Sequence, residues 1–362
     1  VHLGAPFGFL GRGGREHRAQ VKATFSRVVD LALTSQVDAL LIAGDLFDGA
    51  YPQAGTVGEV AYQLGRLDAE GIWTLLVPGT HDRLEPGGAY DSRQLASLPH
   101  LHVFRGREIT PFRLEGLDLT VYGRATAAEG RDVLAGFHAL NDTRWHVGLL
   151  HASFTVPGKV ERDEMMVSEE SISRSGLHYL ALGHWHSQAD YSRGGVPAFY
   201  SGPPEPLEMG SGEEGRVLLV ELEEDGPARV KPIPVGRRRL RRLEMDAHAV
   251  GGPADLYATL RRMADRDLAL EVRVKGTLDE DWVRFEWEKM EDDLAPLFCY
   301  LRLEAVPGEA PAIDAASYPE KTVMGRFLRR AREEMAGLEG EEALVAEEAL
   351  RLGLSHLMGR AR

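Results

Sequence analysis

The chain has 362 residues, 43% hydrophobic and 27% charged, with 40 Gly and 19 Pro, which excludes a disordered or low-complexity chain and exceeds one ordinary single-core domain. One cysteine, Cys299, excludes an intramolecular disulfide framework and a thiolate metal cluster, so any metal must sit on histidine and carboxylate. A formal net charge of −14 argues against holding nucleic acid by bulk electrostatics, which needs clustered Lys and Arg.

No apolar run approaches the roughly 20 residues of a membrane span, and the start lacks the charged-then-apolar pattern of a signal peptide, so a cytoplasmic location with no membrane partner is expected. The chain opens on Val1-His2-Leu3-Gly4, without a Met and in the manner of a segment just past a strand, and a few further residues are expected upstream. A Gly-rich loop, Gly8 to Gly14, leads into a helix with Val21, Phe25, Val28 and Ala32 on one face. The run Ala39 to Ala43 then predicts a buried strand ending at Gly44-Asp45. The unit repeats: Val57, Val60, Leu64 and Leu67 form a helical stripe, Gly71 closes it, and Ile72 to Val77 is a second strand ending at Pro78-Gly79.

Strands are predicted near Leu101 to Phe104 and Leu117 to Tyr122, then at Val147 to Leu150 before His151, and at Tyr179 to Leu182 before Gly183-His184. Three antiparallel strands are expected at Ala198 to Tyr200, Val217 to Leu222 and Val230 to Val235. The sum predicts a layered α/β sandwich flanked by helices, over residues 1–240. The basic run Arg237, Arg238, Arg239, Arg241 and Arg242 is expected to be a solvated face. A small C-terminal α+β cap follows over 241–306, with elements at Leu256 to Met263, Leu268 to Val274, Trp282 to Leu294 and Cys299 to Leu303. Residues 307–362 form a Pro- and Ala-rich link and two amphipathic helices, near Val323 to Met335 and Glu341 to Met358.

Each notable polar cluster stands at a strand end: His2, Asp45 with Asp48, His81 with Asp82, His151, and His184 with His186. Ligands of open α/β sheets bind at the carboxyl ends of strands, so these clusters are expected to converge. Carboxylate and imidazole hold Mn, Fe or Zn, and phosphate ester cleavage uses metals to activate water and neutralise charge. Two metals about 3.5 to 4 Å apart need a shared ligand, which a carboxylate can be and a neutral imidazole cannot. Asp45 is the expected bridge. In Gly183-His184-Trp185-His186, an extended backbone would point both imidazoles to one side and Trp185 to the other. A lone histidine after a strand is more often structural, and His17, His100, His138, His146, His178 and His248 are left as such.

In their order these blocks resemble the calcineurin-like metallophosphoesterases, whose pattern is Asp-x-His, Gly-Asp-x-x-Asp, Gly-Asn-His-Asp or Glu, a later His, and Gly-His-x-His. Here they are Val1-His2, Gly44-Asp45-Leu46-Phe47-Asp48, Gly79-Thr80-His81-Asp82, His151-Ala152-Ser153 and Gly183-His184-Trp185-His186. Three segments, His2-Leu3-Gly4, Leu41 to Asp48 and Tyr200 to Leu207, are similar to the DNA-repair exonuclease branch, the SbcD-like nuclease subunits. The resemblance covers residues 1 to about 235 well.

It implies a metal-dependent DNA exonuclease in double-strand break repair, using two divalent ions, manganese by preference. His2, Asp45 and His186 would hold the first ion, and Asp45, His151 and His184 the second. Thr80 stands among the ligands where the family has Asn; its shorter hydroxyl implies looser retention of the second ion. The family's first Asp would stand immediately before Val1. His81 would be the catalytic imidazole, with Asp82 orienting it and Asp48 supporting the ligands. The implied partners are DNA, a coiled-coil ABC-type ATPase gripped by the helices of 320–358, and a second copy of the chain; those helices could equally pack on the cap. Rival readings keep the scaffold: a phosphatase or cyclic-nucleotide phosphodiesterase, or a structural subunit whose site has degraded.

Overall fold

In the computed structural model the described residues are 1–126, 130–140, 142–155, 165–211, 214–224, 226–276, 282, 285–307 and 321–338, with 340, 342–343, 345–346, 349–350 and 353. The chain divides into two compact units, Val1–Leu240 and Arg241–Arg362. Among the described residues, no helix is long and apolar enough to cross a membrane.

The first unit opens with α1 (Gly14–Thr34), whose apolar stripe buries Val21, Phe25, Val28, Val29 and Ala32. Then come β1 (Ala39–Ala43), α2 (Ala54–Ala69), β2 (Trp73–Val77), the single turn α3 (Arg93–Ala96) and β3 (Leu101–Val103). β1, β2 and β3 pair in parallel in that order, the product of repeated βα units. A second sheet contains β4 (Thr110–Leu114), β5 (Leu119–Gly123), β6 (Trp145–His151), β9 (Tyr179–Gly183), β10 (Ala189–Asp190) and β11 (Ala198–Tyr200), in the order β10-β11-β9-β6-β5-β4. Between β6 and β9 lie the short parallel pair β7 (Ser153–Phe154) and β8 (Met166–Val167), followed by α4 (Glu169–Arg174).

The two sheets stack face to face, burying Leu75 and Val77 of one against Val121, Val147, Leu149, Tyr179 and Ala181 of the other. A separate cluster around Leu150, Ile172, Leu180, Leu182 and Tyr200 covers the far side of the second sheet. The unit closes with the antiparallel hairpin of β12 (Arg216–Glu221) and β13 (Arg229–Pro234). The layered α/β sandwich expected from the sequence is present.

Two expectations are corrected here. The antiparallel expectation for β11 holds only on one side: it pairs antiparallel with the short β10, which takes up one reversal, and in parallel with β9. The basic run is a solvated face only in part, since Arg237 and Arg242 are exposed and Arg238 is buried. Arg237 and Arg238 donate their backbone N–H groups to the buried Glu205 carboxylate at 3.0 and 2.7 Å, and the buried Arg238 side chain lies 3.6 Å from Glu16. Arg239 then begins β14 (Arg239–Asp246).

In the second unit, β14, β15 (Leu268–Gly276) and β16 (Tyr300–Pro307) form one sheet in that order, with β15 and β16 parallel. Helices α5 (Ala247–Val250), α6 (Pro253–Arg262) and α7 (Trp287–Leu294) enclose a core of Leu256, Leu260, Leu270, Val272, Trp282 and Leu294. The predicted helix at Val323 to Met335 is α8 (Val323–Met335), with Leu328 buried. The link after Pro307 and most of the helix expected at Glu341 to Met358 lie outside the described residues.

Candidate metal centre

Four strand ends deliver the polar residues. β1 passes through Gly44 to Asp45, and β2 through Pro78 and Gly79 to Thr80, His81 and Asp82. In the facing sheet β6 ends on His151, and β9 ends on Gly183, one residue before His184. Two close approaches explain the glycines. A Cβ on Gly44, whose φ is +88°, would sit 2.2 Å from His151 Nδ1, and a Cβ on Gly183 would sit 1.6 Å from the Ala43 carbonyl oxygen. The ends of the two sheets therefore meet only because neither position carries a side chain.

His2 reaches the same place by another route. The segment Val1–Leu3 lies against Asp45–Asp48: His2 and Leu3 donate backbone N–H to Asp45 and Leu46 carbonyls, both at 2.9 Å, and Asp48 donates to Leu3 at 3.1 Å. His2, Asp45 and His184 all hold left-handed backbone, with φ of 56°, 49° and 103°. Such conformations cost of order 1 to 3 kcal/mol each and cluster at functional sites. At His184 the observation corrects the expectation of an extended Gly-His-Trp-His segment. The chain bends there, yet the two imidazoles still arrive on one site, and Trp185 still turns away, stacked on Tyr200 with ring centroids 5.0 Å apart.

Asp45 stands at the middle. Its Oδ2 lies 3.6 Å from His2 Nε2 and 3.3 Å from His151 Nε2, while its Oδ1 accepts the His81 backbone N–H at 2.8 Å. Burial pushes its carboxyl pKa up, but His151, the His81 amide and His2 outweigh that, and the net shift is downward. Burial lowers the pKa of His2 and of His151, and the Asp45 carboxylate works against that shift in both.

His151 Nδ1 donates to the Ala43 carbonyl at 2.9 Å, which fixes the tautomer and leaves Nε2 with a lone pair. That lone pair faces Asp45 Oδ2, His184 Nδ1 at 3.2 Å and Thr80 Oγ1 at 3.5 Å. On the other side, His2 Nδ1 lies 3.1 Å from Asp48 Oδ1, and its ring meets those of His81 and His186 edge-on, with centroids 4.5 and 5.1 Å away. His2, Asp45 and His81 each bring one ligand atom to within 4.8 Å of the others. A buried carboxylate between two buried imidazoles is a donor set suited to divalent cations.

Asp82 does something other than orient His81. Its fully buried carboxylate accepts the backbone N–H groups of Gly79 at 2.7 Å, Phe47 at 3.1 Å and Asp45 at 3.2 Å, and the Tyr90 hydroxyl. It therefore splices the loop after β1 to the loop after β2. The carboxylate beside His81 is that of Asp48, whose Oδ1 lies 3.7 Å from His81 Nδ1 on a half-exposed ring. Burial raises the Asp48 carboxyl pKa.

Two residues escaped the sequence reading: Tyr90, and Glu208, whose Oε1 lies 3.0 Å from His186 Nδ1. Glu208 lies one residue beyond the Tyr200 to Leu207 segment. Histidines left aside are accounted for elsewhere: His17 Nε2 donates to the Pro206 carbonyl, and His100 pairs with Asp68.

Residues 13–188 match the family model described as Calcineurin-like phosphoesterase, a span from before Asp45 to beyond His186. The chain carries a calcineurin-like metallophosphoesterase domain. The family uses divalent metals. The chain is 28% identical over 228 residues to the uncharacterized metallophosphoesterase YhaO of Bacillus subtilis, covering 60% of this chain and 55% of that protein. It is 26% identical over 300 residues to the DNA double-strand break repair protein Mre11 of Methanopyrus kandleri, covering 76% and 63%. It is 26% identical over 299 residues to the D component of the nuclease SbcCD of Rhodobacter capsulatus, covering 69% and 72%. The chain thus spans less than two thirds of YhaO and of the Methanopyrus protein.

Proposed function

We propose that this metallophosphoesterase domain hydrolyses phosphodiesters of DNA with two divalent ions, manganese by preference, as an exonuclease-type subunit in double-strand break repair. The observation that carries the reading is the Asp45 carboxylate, with one oxygen within 3.6 Å of an imidazole from each side. His2, Asp45 and His186 would hold one ion; Asp45, His151, His184 and the Thr80 hydroxyl would hold the other. When bound, the ions supply an activated water and neutralise charge on the phosphate.

The chain's own residues do the rest. His81, at the exposed rim, donates a proton to the departing oxygen, and Asp48 keeps its ring turned toward the ligands. Asp82 holds both loops in register, and Glu208 orients His186 so that Nε2 is the free ligand atom. The Mre11 and SbcCD relatives support DNA as substrate and, with the C-terminal helices, a coiled-coil ABC-type ATPase as partner; a second copy and a cytoplasmic setting belong to the same reading. The experiment is a comparison of linear duplex DNA, cyclic nucleotides and phosphopeptides with the manganese-loaded protein. Cleavage of DNA above the other two is expected, whereas preference for either small substrate overturns the nuclease assignment.

A further inference from the structure

Glu208 reaches His186 from a segment with no regular structure of its own. Residues 201–210 belong to no helix or strand, and the Glu208 side chain is 64% exposed, yet its Oε1 stands 3.0 Å from His186 Nδ1. An exposed carboxylate loses rotamer freedom to hold one geometry, so its aim depends on where its backbone is fixed.

That backbone is fixed three residues earlier. Glu205 is 1% exposed, and its carboxylate accepts three hydrogen bonds: from the Thr24 hydroxyl of α1 at 2.5 Å, and from the backbone N–H groups of Arg237 at 3.0 Å and Arg238 at 2.7 Å. Burying a carboxylate is costly unless such donors replace its water, and bonds to a charged acceptor are the stronger kind. Gln20 donates in turn to the Thr24 oxygen at 3.0 Å, which leaves the Thr24 hydrogen for Glu205. The anchor carries along the chain. Pro203, Pro204 and Pro206 fix φ on either side of Glu205, His17 Nε2 donates to the Pro206 carbonyl at 2.8 Å, and Leu207 is buried. Beyond Glu208, Gly210 donates its N–H to the Leu240 carbonyl at 2.9 Å. Glu208 is thus held from both sides.

We infer that Glu205, although its hydrogen bonds reach no residue of the metal centre, is a positioning residue for it: through Glu208 it sets the tautomer and direction of His186. The inference rests on the reading of His186 as a ligand of the first ion. With the anchor loosened, Glu208 leaves Nδ1, the imidazole shares its proton between both nitrogens, and Nε2 offers a lone pair only part of the time.

The test uses Glu205→Gln, which keeps the shape but cannot accept from all three donors, beside Glu208→Ala and the double variant. Nitrogen NMR of the metal-free protein reads the His186 ring, and titration calorimetry with manganese reads the ions. The parent should show one tautomer at His186, protonated on Nδ1. Each single variant should show a mixture and weaken one of two manganese affinities by about 10-fold, with the other unchanged. The double variant should lose no more, since both side chains act through one contact. Should Glu205→Gln fail to fold, Thr24→Val removes a single donor and is read in the same way, with a smaller shift. A parent-like His186 ring in the folded variant, or losses that add in the double variant, overturns the inference. A parent chain that does not bind two manganese ions overturns the two-ion reading instead, and the metal-free His186 ring still decides for or against Glu205.

Discussion

Thr80 stands where the resemblance implies Asn, and its place is defined: Oγ1 lies 3.5 Å from His151 Nε2, on the side of Asp45 that would hold the second ion. A hydroxyl is a shorter arm and a poorer donor to a divalent ion than a carboxamide oxygen. Thr80→Asn should therefore tighten the weaker of two manganese affinities by about 10-fold, as measured by titration calorimetry, with the other unchanged. His17 makes a prediction about stability. Burial depresses its pKa from 6.5 to about 4, its Nε2 donating to Pro206 while Nδ1 lacks a partner among the described residues. The unfolded chain binds this proton below pH 6.5 and the folded chain only below about 4, so stability falls as pH drops through that window, by up to about 3 kcal/mol. His17→Gln keeps an Nε2-like donor without the titration. Urea unfolding should show the variant gaining on the parent between about pH 7 and 4.5; parallel pH profiles would refute the assignment.

At the scale of elements, Gly183 is the tightest junction between the two sheets. Because its Cβ would fall 1.6 Å from the Ala43 carbonyl, Gly183→Ala must push β9 from β1. Thermal denaturation should show a loss on the order of 3 kcal/mol, and manganese binding should weaken with it, since His184 follows directly. Why glycine stands there was not legible, although Gly183-His184 was noticed, because the clash comes from a strand about 140 positions away in sequence. What was legible had local causes. β1, β2, β6 and β9 are short apolar runs punctuated by Gly or a polar cluster, the last three largely buried, and they were placed to within a residue or two. β4 was missed because Thr110-Pro111-Phe112 resembles a turn; its proline is tolerated at the sheet edge. β14 was missed because an arginine run masks its start. Of the site, the strand-end residues were legible from their order, whereas Tyr90 and Glu208 act through partners that only the fold brings near.

For the molecule as a whole, the chain divides into two compact units, with α8 in the second. In α8, Leu328 is buried while Val323 stays 63% exposed. If 320–358 grips the ATPase, a chain ending at Pro319 should lose co-purification with that ATPase while keeping its manganese-dependent phosphodiesterase activity, and retained co-purification would place the contact elsewhere. The central claim is that Asp45 joins two ions for DNA cleavage. Its φ of 49° is one that Asn also adopts, so Asp45→Asn removes the bridging charge with the backbone retained. The direct measurement is manganese-dependent nucleotide release from linear duplex DNA by the parent chain and by this variant. A rate at least on the order of 10³-fold lower in a folded Asp45→Asn protein is predicted; unchanged release would contradict it.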